Sequence, residues 1–326
     1  MKASVHFLNV GWGDAHFIRL PSGALTLIDG GEEDLPESCV PPEAWMERQG
    51  ATELAWMLLT HLHGDHVNGL LEVARRFKVR RAVLPYEPFV LPIVSAQRLE
   101  NDRKLAIVFK LLNRYLELVQ LLEQAGTIIT WRHQLGSEGH DCVWSEEGFT
   151  LKHLYPWHDD PLPAHVELGK ALEALTLSEE EGCVRLKEFY ELSNHDSSVY
   201  RLTADKQQGQ TEGLGSVLFG ADQLEPGWRT LAARQDIRSH VWKASHHGMT
   251  DGVNPQLLQL IQPQHTVIPI SLERAESESL YPHWERLKEQ GVLPSYFLTG
   301  AIKPGEALEI PDQQGIEVWV EGRLTT

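Results

Sequence analysis

The sequence predicts a layered α/β fold, and two observations carry that prediction. Short apolar runs joined by tight turns alternate with longer amphipathic stretches, and a histidine-rich loop lies between an apolar run and a segment with helical spacing. The opening residues Val5, Phe7, Leu8 and Val10, then His16 to Leu20, then Leu25 to Ile28, are separated by Gly11, Gly13, Pro21-Ser22-Gly23 and Gly30-Gly31, which predicts a meander of strands. The run Trp56 to Thr60 stops at the histidine cluster. Gly69 to Phe77 follow at helical spacing, and Arg81 to Pro85 read as another strand.

From about Ser95 to Gln124 the pattern predicts one long amphipathic helix, with Leu105, Phe109, Leu112, Leu116 and Val119 spaced by four and three. A helix lying across the body of its own chain is expected, with a dimerising seam as the alternative. Strands resume at Thr127 to Trp131 and Phe149 to Tyr155, and a charged, helix-prone segment runs from about Ala164 to Leu192. Short β runs follow at Ser198 to Leu202, Ser216 to Phe219, Val241 to Ala244 and Thr266 to Ile270, with a polar hairpin tip at Gln207 to Gly215 and a helix at Pro282 to Gln290. Residues 1–326 are therefore read as a single domain, with helical insertions at about 87–126 and 159–192.

A hydrophobic fraction of 42% and a charged fraction of 23% match ordinary globular usage and exclude a disordered or fibrous chain. No stretch approaches the roughly 18 apolar residues of a membrane span. The start MKASVHFLNVGWGDA lacks a basic segment followed by an apolar one, so a cytoplasmic protein without membrane association is expected. Cys39, Cys142 and Cys183 are odd in number and outside CxxC pairs, which argues against a disulfide framework or a cysteine zinc knot and predicts buried or half-buried thiols. The net charge of -17, from 29 basic and 46 acidic residues, repels polyanions at long range. The densest basic run, Arg75 to Arg81, is read as a solvated helix end ahead of a phosphate-binding strip.

The chemistry is concentrated in Thr60-His61-Leu62-His63-Gly64-Asp65-His66, directly after an apolar run. Residues two apart in a strand or tight loop point the same way, so His61 and His63 can grip one metal together. Beyond the Gly64 bend, Asp65 and His66 can face a second. Imidazole nitrogen and carboxylate oxygen suit zinc, and the absence of thiolates suits an open catalytic site more than a closed structural one. A solvated histidine-rich loop is the bland alternative, and the density of the cluster argues against it.

The HxHxDH pattern after an apolar strand resembles the signature of the metallo-β-lactamase superfamily. More narrowly, the chain resembles the hydrolase domain attached to the bacterial competence protein that transports DNA, and its free-standing relatives. The matching pieces are Phe7 to Ala15, Leu27 to Gly31, the histidine cluster, Ser193 to Ser198, Leu218 to Asp222 and Lys243 to Gly248, all in the expected order. The resemblance covers most of the chain apart from about 87–124 and the helical part of 159–192. It implies a four-layer αββα sandwich with a two-metal site.

Carried over by position, the resemblance implies a ligand set of His61, His63, Asp65, His66, His195, Asp222 and His246, with Asp222 bridging and His195 completing the first metal's ligands. Asp65 and His247 are the implied catalytic residues, and which of His246 and His247 binds the second metal stays open. Asp29 is expected to orient the metal-binding loop. Trp12 stands where relatives carry glutamine, and His195 where they often carry asparagine. Of the other histidines, His6, His16 and His153 are expected to be packed or hydrogen-bonded. His133, His140, His158, His165, His240 and His265 show no ligand spacing, and His283 matches a late family segment near the site mouth.

Two divalent ions roughly 3.5–4 Å apart, zinc first and manganese second, would activate a shared water and stabilise the attacking and leaving oxygens. In this scheme Asp65 binds the second ion and accepts the water's proton, while His247 donates to the developing oxyanion. The narrower resemblance implies a phosphodiester substrate, nucleic acid included, whereas the acidic charge favours a small phosphoester over a long polymer. A lactone, thioester or other small ester is the alternative substrate, since the fold alone does not fix it. A purely regulatory role fits poorly with an intact ligand set. Any oligomer or protein partner is expected to use the inserted helices.

Overall fold

The computed structural model describes residues 2–205, 215–303, 306–310 and 315–321. The hairpin tip expected at 207–215 lies, apart from Gly215, outside the described residues. The chain opens with the antiparallel meander β1 (Ala3–Leu8), β2 (His16–Arg19) and β3 (Leu25–Ile28), then α1 (Pro42–Arg48). A parallel strand–helix–strand unit follows as β4 (Glu53–Leu58), α2 (Gly64–Arg76) and β5 (Lys78–Leu84). Next come α3 (Ala96–Asn101), α4 (Arg103–Gln124), β6 (Ile128–Trp131), the antiparallel pair β7 (Cys142–Glu146) and β8 (Phe149–Tyr155), and the helices α5 (Pro163–Leu177) and α6 (Glu179–Leu192). The remainder runs β9 (Val199–Ala204), β10 (Ser216–Phe219), α7 (Glu225–Arg234), β11 (Val241–Lys243), α8 (Pro255–Ile261), β12 (His265–Ile268), α9 (Leu272–Ser277), α10 (Tyr281–Glu289), β13 (Tyr296–Leu298), β14 (Ala307–Ile310) and β15 (Ile316–Glu321).

Among the described residues the strands form two sheets, ordered β14-β15-β1-β2-β3-β4-β5-β6 and β13-β12-β11-β10-β9-β8-β7. Alternation along the strands builds the layers, because successive side chains leave a strand on opposite faces. Val5 and Phe7 of β1 share one core with Leu202, Val217 and Phe219 of the other sheet, so the sheets pack face to face. The outer face of the first sheet, through Leu27, Met57 and Ala82, packs on Trp45, Leu70 and Leu112 of α1, α2 and α4. The outer face of the second, through Leu218, Trp242 and Ile268, packs on Trp228, Leu257 and Trp284 of α7, α8 and α10. Helix, sheet, sheet, helix is the four-layer αββα sandwich that the sequence predicts.

The two long helical segments differ from expectation in their breaks. The segment from Ser95 to Gln124 is two helices, because the Asp102 side chain accepts the Leu105 N–H at 3.0 Å and caps α4. Likewise Ser178 caps α6 by accepting from the Glu181 N–H, dividing the segment expected as a unit at 164–192. α4 buries Leu105, Phe109, Leu112, Tyr115 and Val119 and packs on α2 and α6, so it lies across its own chain. Among the described residues no helix is long and apolar enough to cross a membrane. All three cysteines are free, and Cys142 is exposed where a covered thiol was expected.

Candidate metal centre

The site forms at one end of the sandwich, where loops after β1, β3, β4, β10 and β11 converge. α2 begins at Gly64, earlier than its apolar period indicated, so Asp65 and His66 occupy its first turn while His61 and His63 precede it. His61, His63 and Asp222 form one group of donor atoms within 4.8 Å of one another, and Asp65, His66, Asp222 and His247 form another. Asp222 belongs to both. Its Oδ2 lies 3.4 Å from His66 Nε2, 3.3 Å from His247 Nε2 and 3.9 Å from His61 Nε2. His247 Nε2 is also 3.2 Å from Asp65 Oδ2.

These donors fit divalent cations. His66 Nδ1 donates to Asp29 Oδ2 at 2.8 Å and His247 Nδ1 donates to the Pro269 carbonyl at 3.2 Å, which leaves each Nε2 buried without a hydrogen-bond partner. A proton fixed on Nδ1 turns the Nε2 lone pair to the ligand role. Burial holds the His61 and His63 imidazoles below their usual range, in the neutral form a metal requires. Burial also pushes His66 and His247 down, but Asp222 and its neighbouring carboxylates overcome it and raise both well above the usual range. The field that draws a proton onto these rings draws a cation for the same reason.

A second layer of contacts holds the ligands. Asp29 accepts from the Thr60 backbone N–H at 2.8 Å and from the Thr60 hydroxyl at 2.7 Å, in addition to His66, and so ties the β3 loop to the ligand loop. Those loops touch backbone to backbone: a Cβ on Gly30 would overlap the Leu70 nitrogen, and one on Gly69 would overlap the Gly30 carbonyl. Behind Asp222, the fully buried Lys243 pairs with Asp14, donates to the Ala221 carbonyl at 2.8 Å and lies 3.8 Å from Asp222 Oδ1. Burial pushes the Asp14 carboxyl up, and Lys243 with His16 and His247 overcomes this and holds it well below the usual range.

Two of the expected ligands stand elsewhere. His246 is not in either donor group; it bonds Asp251 at 2.8 Å and Asn194 at 3.2 Å, and His247 takes the place expected of it. The reason is a left-handed turn, with φ of 46° at His246, 49° at His247 and 78° at Gly248, which buries the second imidazole and leaves the first at the rim. His195 is likewise outside both groups and half-buried. Its 3-10 turn is anchored by the next residue, Asp196, which accepts from the Tyr86 hydroxyl at 2.9 Å and from the N–H groups of Ala164 and His165 at the start of α5.

Asp14, Lys243 and Tyr190 had no assigned role at the level of sequence. Asp14 and Lys243 sit inside the matching motif pieces, and a charged residue in an apolar strand such as Val241–Lys243 is the signal that could have marked the pair. The Tyr190 carbonyl accepts from His63 Nε2 at 3.0 Å, with the two rings 4.5 Å apart, a contact no local pattern reveals. Trp12 lies 4.5 Å from the His247 ring, with the Arg274 guanidinium 4.5 Å from its own ring. His283 bonds the Val253 carbonyl at 2.7 Å. In the basic run, Arg75, Arg76 and Arg80 pair with Glu117, Glu47 and Glu53.

An αββα sandwich with two histidine–carboxylate clusters sharing one aspartate at its strand ends defines the class as a metal-binding hydrolase fold. The profile of the Metallo-beta-lactamase superfamily matches residues 10–143, and the chain carries a domain of that superfamily. Among curated proteins none matches the chain. Similar solved structures include CmlA, a diiron β-hydroxylase from Streptomyces venezuelae, at 13% identity over 90% of this chain and 52% of that one with a TM-score of 0.45. A diphosphatase from the PhnP family is 13% identical over 95% of this chain and 82% of its own, with a TM-score of 0.39. The metallo-β-lactamase fold protein YhfI from Bacillus subtilis is 9% identical over 90% and 95%, with a TM-score of 0.41. The chain spans about half the length of the CmlA hydroxylase.

Proposed function

We propose that the protein is a binuclear metal-dependent hydrolase of phosphodiesters, with zinc the first candidate for its two ions and manganese the second. The observation that carries the hydrolase reading is the sharing of Asp222 by the His61–His63 and Asp65–His66–His247 groups. Two divalent ions held there would supply an activated water and charge stabilisation for the attacked group. The chain's own residues do the rest. Asp65, at the wall of a cavity of about 370 Å³, would help to hold one ion and would accept a proton from the attacking water. Asp29 and the Pro269 carbonyl keep His66 and His247 in the tautomer that ligates.

The phosphodiester part rests on the ordered motif pieces shared with the competence hydrolase domain and on the cations Lys110 and Arg114 in the wall of that cavity. A small phosphodiester is favoured over a long polymer. The net charge is -17, and Arg75, Arg76 and Arg80 of the one dense basic run are matched by glutamates. A lactone or thioester is the second reading, favoured by Trp12, which adds an aromatic wall to the same cavity. Parallel assay of the metal-analysed protein against bis-p-nitrophenyl phosphate, single-stranded DNA, a lactone and a thioester separates them. The expected result is fastest turnover of the phosphodiester; faster lactone or thioester turnover would transfer the site to the second reading.

A further inference from the structure

The cavity at Asp65 has a second chemical character, supplied by α4. Lys110 and Arg114 stand four residues apart on α4 and so lie on one face of it, and both line the cavity together with Asn68, Tyr190 and Asp65. The helix uses its other face, through Leu105, Phe109 and Leu112, to pack on the body. Lys110 and Arg114 do not pair with Asp65 or Asp222. Both instead pair with one carboxylate, Glu33, from the loop after β3, and the Arg114 guanidinium also reaches the Asn68 side-chain oxygen at 3.4 Å. Arg114 and Glu33 each keep a quarter of their side-chain surface exposed and Lys110 more than half, so the cluster is open to solute from the cavity.

We propose that Lys110 and Arg114 form an anion subsite, separate from the metal centre, that takes a second phosphate of the substrate, with Glu33 as the internal carboxylate which that phosphate displaces. The inference rests on the phosphodiesterase reading for its substrate class but not for its binding chemistry. Two cations converging on one carboxylate present a fork of donors that an incoming phosphate, with more charge and more acceptor oxygens, can occupy in its place. The substrate class is a phosphodiester that carries a terminal phosphate, such as a phosphorylated nucleotide ester. Tyr190, its ring against His63, also lines the cavity and offers a surface for the intervening aromatic or sugar group.

Thymidine 5′-(p-nitrophenyl phosphate) and its 3′-phosphorylated counterpart differ only in the second phosphate. The purified full chain should prefer the phosphorylated ester through KM, the combined Lys110→Ala and Arg114→Ala change should cut that preference about tenfold, and Glu33→Gln should increase it. Calorimetry with thymidine 3′,5′-bisphosphate against thymidine 5′-monophosphate reads the same preference without turnover. A cluster that only pins α4 would lose thermal stability in Glu33→Gln with no gain in bisphosphate affinity, and that result overturns the subsite. Unchanged bisphosphate preference in the double variant overturns it as well. If neither ester is hydrolysed but the binding preference is present and is lost in the double variant, the subsite stands and the phosphodiesterase reading fails.

Discussion

Asp29 Oδ2 accepts a hydrogen bond from His66 Nδ1 at 2.8 Å, while the same carboxylate holds Thr60 at the start of the ligand loop. One side chain therefore sets both the tautomer of a candidate ligand and the course of the backbone that carries the others. Asp29→Ala should lower metal affinity about 10- to 100-fold, the range found when a partner of a ligating histidine is removed. Competition against a chelator of known affinity measures it. Unchanged affinity would mean that the loop is held by other contacts.

The buried Lys243 faces Asp14 and Asp222. Lys243→Met removes the only ammonium among these groups and leaves Asp14 without its strongest cationic partner, which should cost about 3–5 kcal/mol of metal-free stability. Divalent metal neutralises Asp222 and should return part of that loss, so metal should raise the variant's Tm more than the wild type's. Thermal unfolding with and without metal decides this, and an equal rise in both proteins would contradict it.

His246 and His247 offer adjacent identical side chains with opposite expected behaviour. His247→Ala should abolish high-affinity binding of one of the two ions in a calorimetric titration, whereas His246→Ala should retain both. Asp65→Asn should nearly abolish hydrolysis while the His61–His63 group keeps its ion, because the amide can neither accept the proton nor offer a charged ligand. Loss of an ion in His246→Ala with retention in His247→Ala would reverse the assignment.

His153 is buried against the Pro156 carbonyl at 2.7 Å, and burial pushes its imidazole down to about 4. An unfolded histidine titrates near 6.5, so the unfolded chain binds the extra proton first as pH falls. The resulting stability is fully present above about pH 6.5 and is lost progressively down to about pH 4, roughly 3 kcal/mol in all. His153→Gln, whose amide can still donate to Pro156, should show a shallower fall in unfolding free energy across that window. Identical slopes would show that His153 does not titrate as described.

The legible parts of the site are those with local signals. His61, His63, Asp65 and His66 could be read because alternation and a glycine bend act over six residues, and the sandwich because its strands alternate. The choice between His246 and His247 depends on three successive left-handed residues, which two adjacent histidines do not announce. His195 stands outside both donor groups because its position is governed by Asp196 reaching α5 and Tyr86, partners far away in sequence. The breaks at Asp102 and Ser178 had a readable cause, since both are N-caps, but apolar periodicity alone runs across them.

We predict that Asp222 serves two ions at once. Its most direct test is the number of divalent ions bound per chain at saturation, measured by elemental analysis on the wild type and on Asp222→Ala. The wild type should bind two ions and Asp222→Ala should lose tight binding at both positions; a single ion in the wild type, or two ions retained in Asp222→Ala, would show that Asp222 does not bridge two sites.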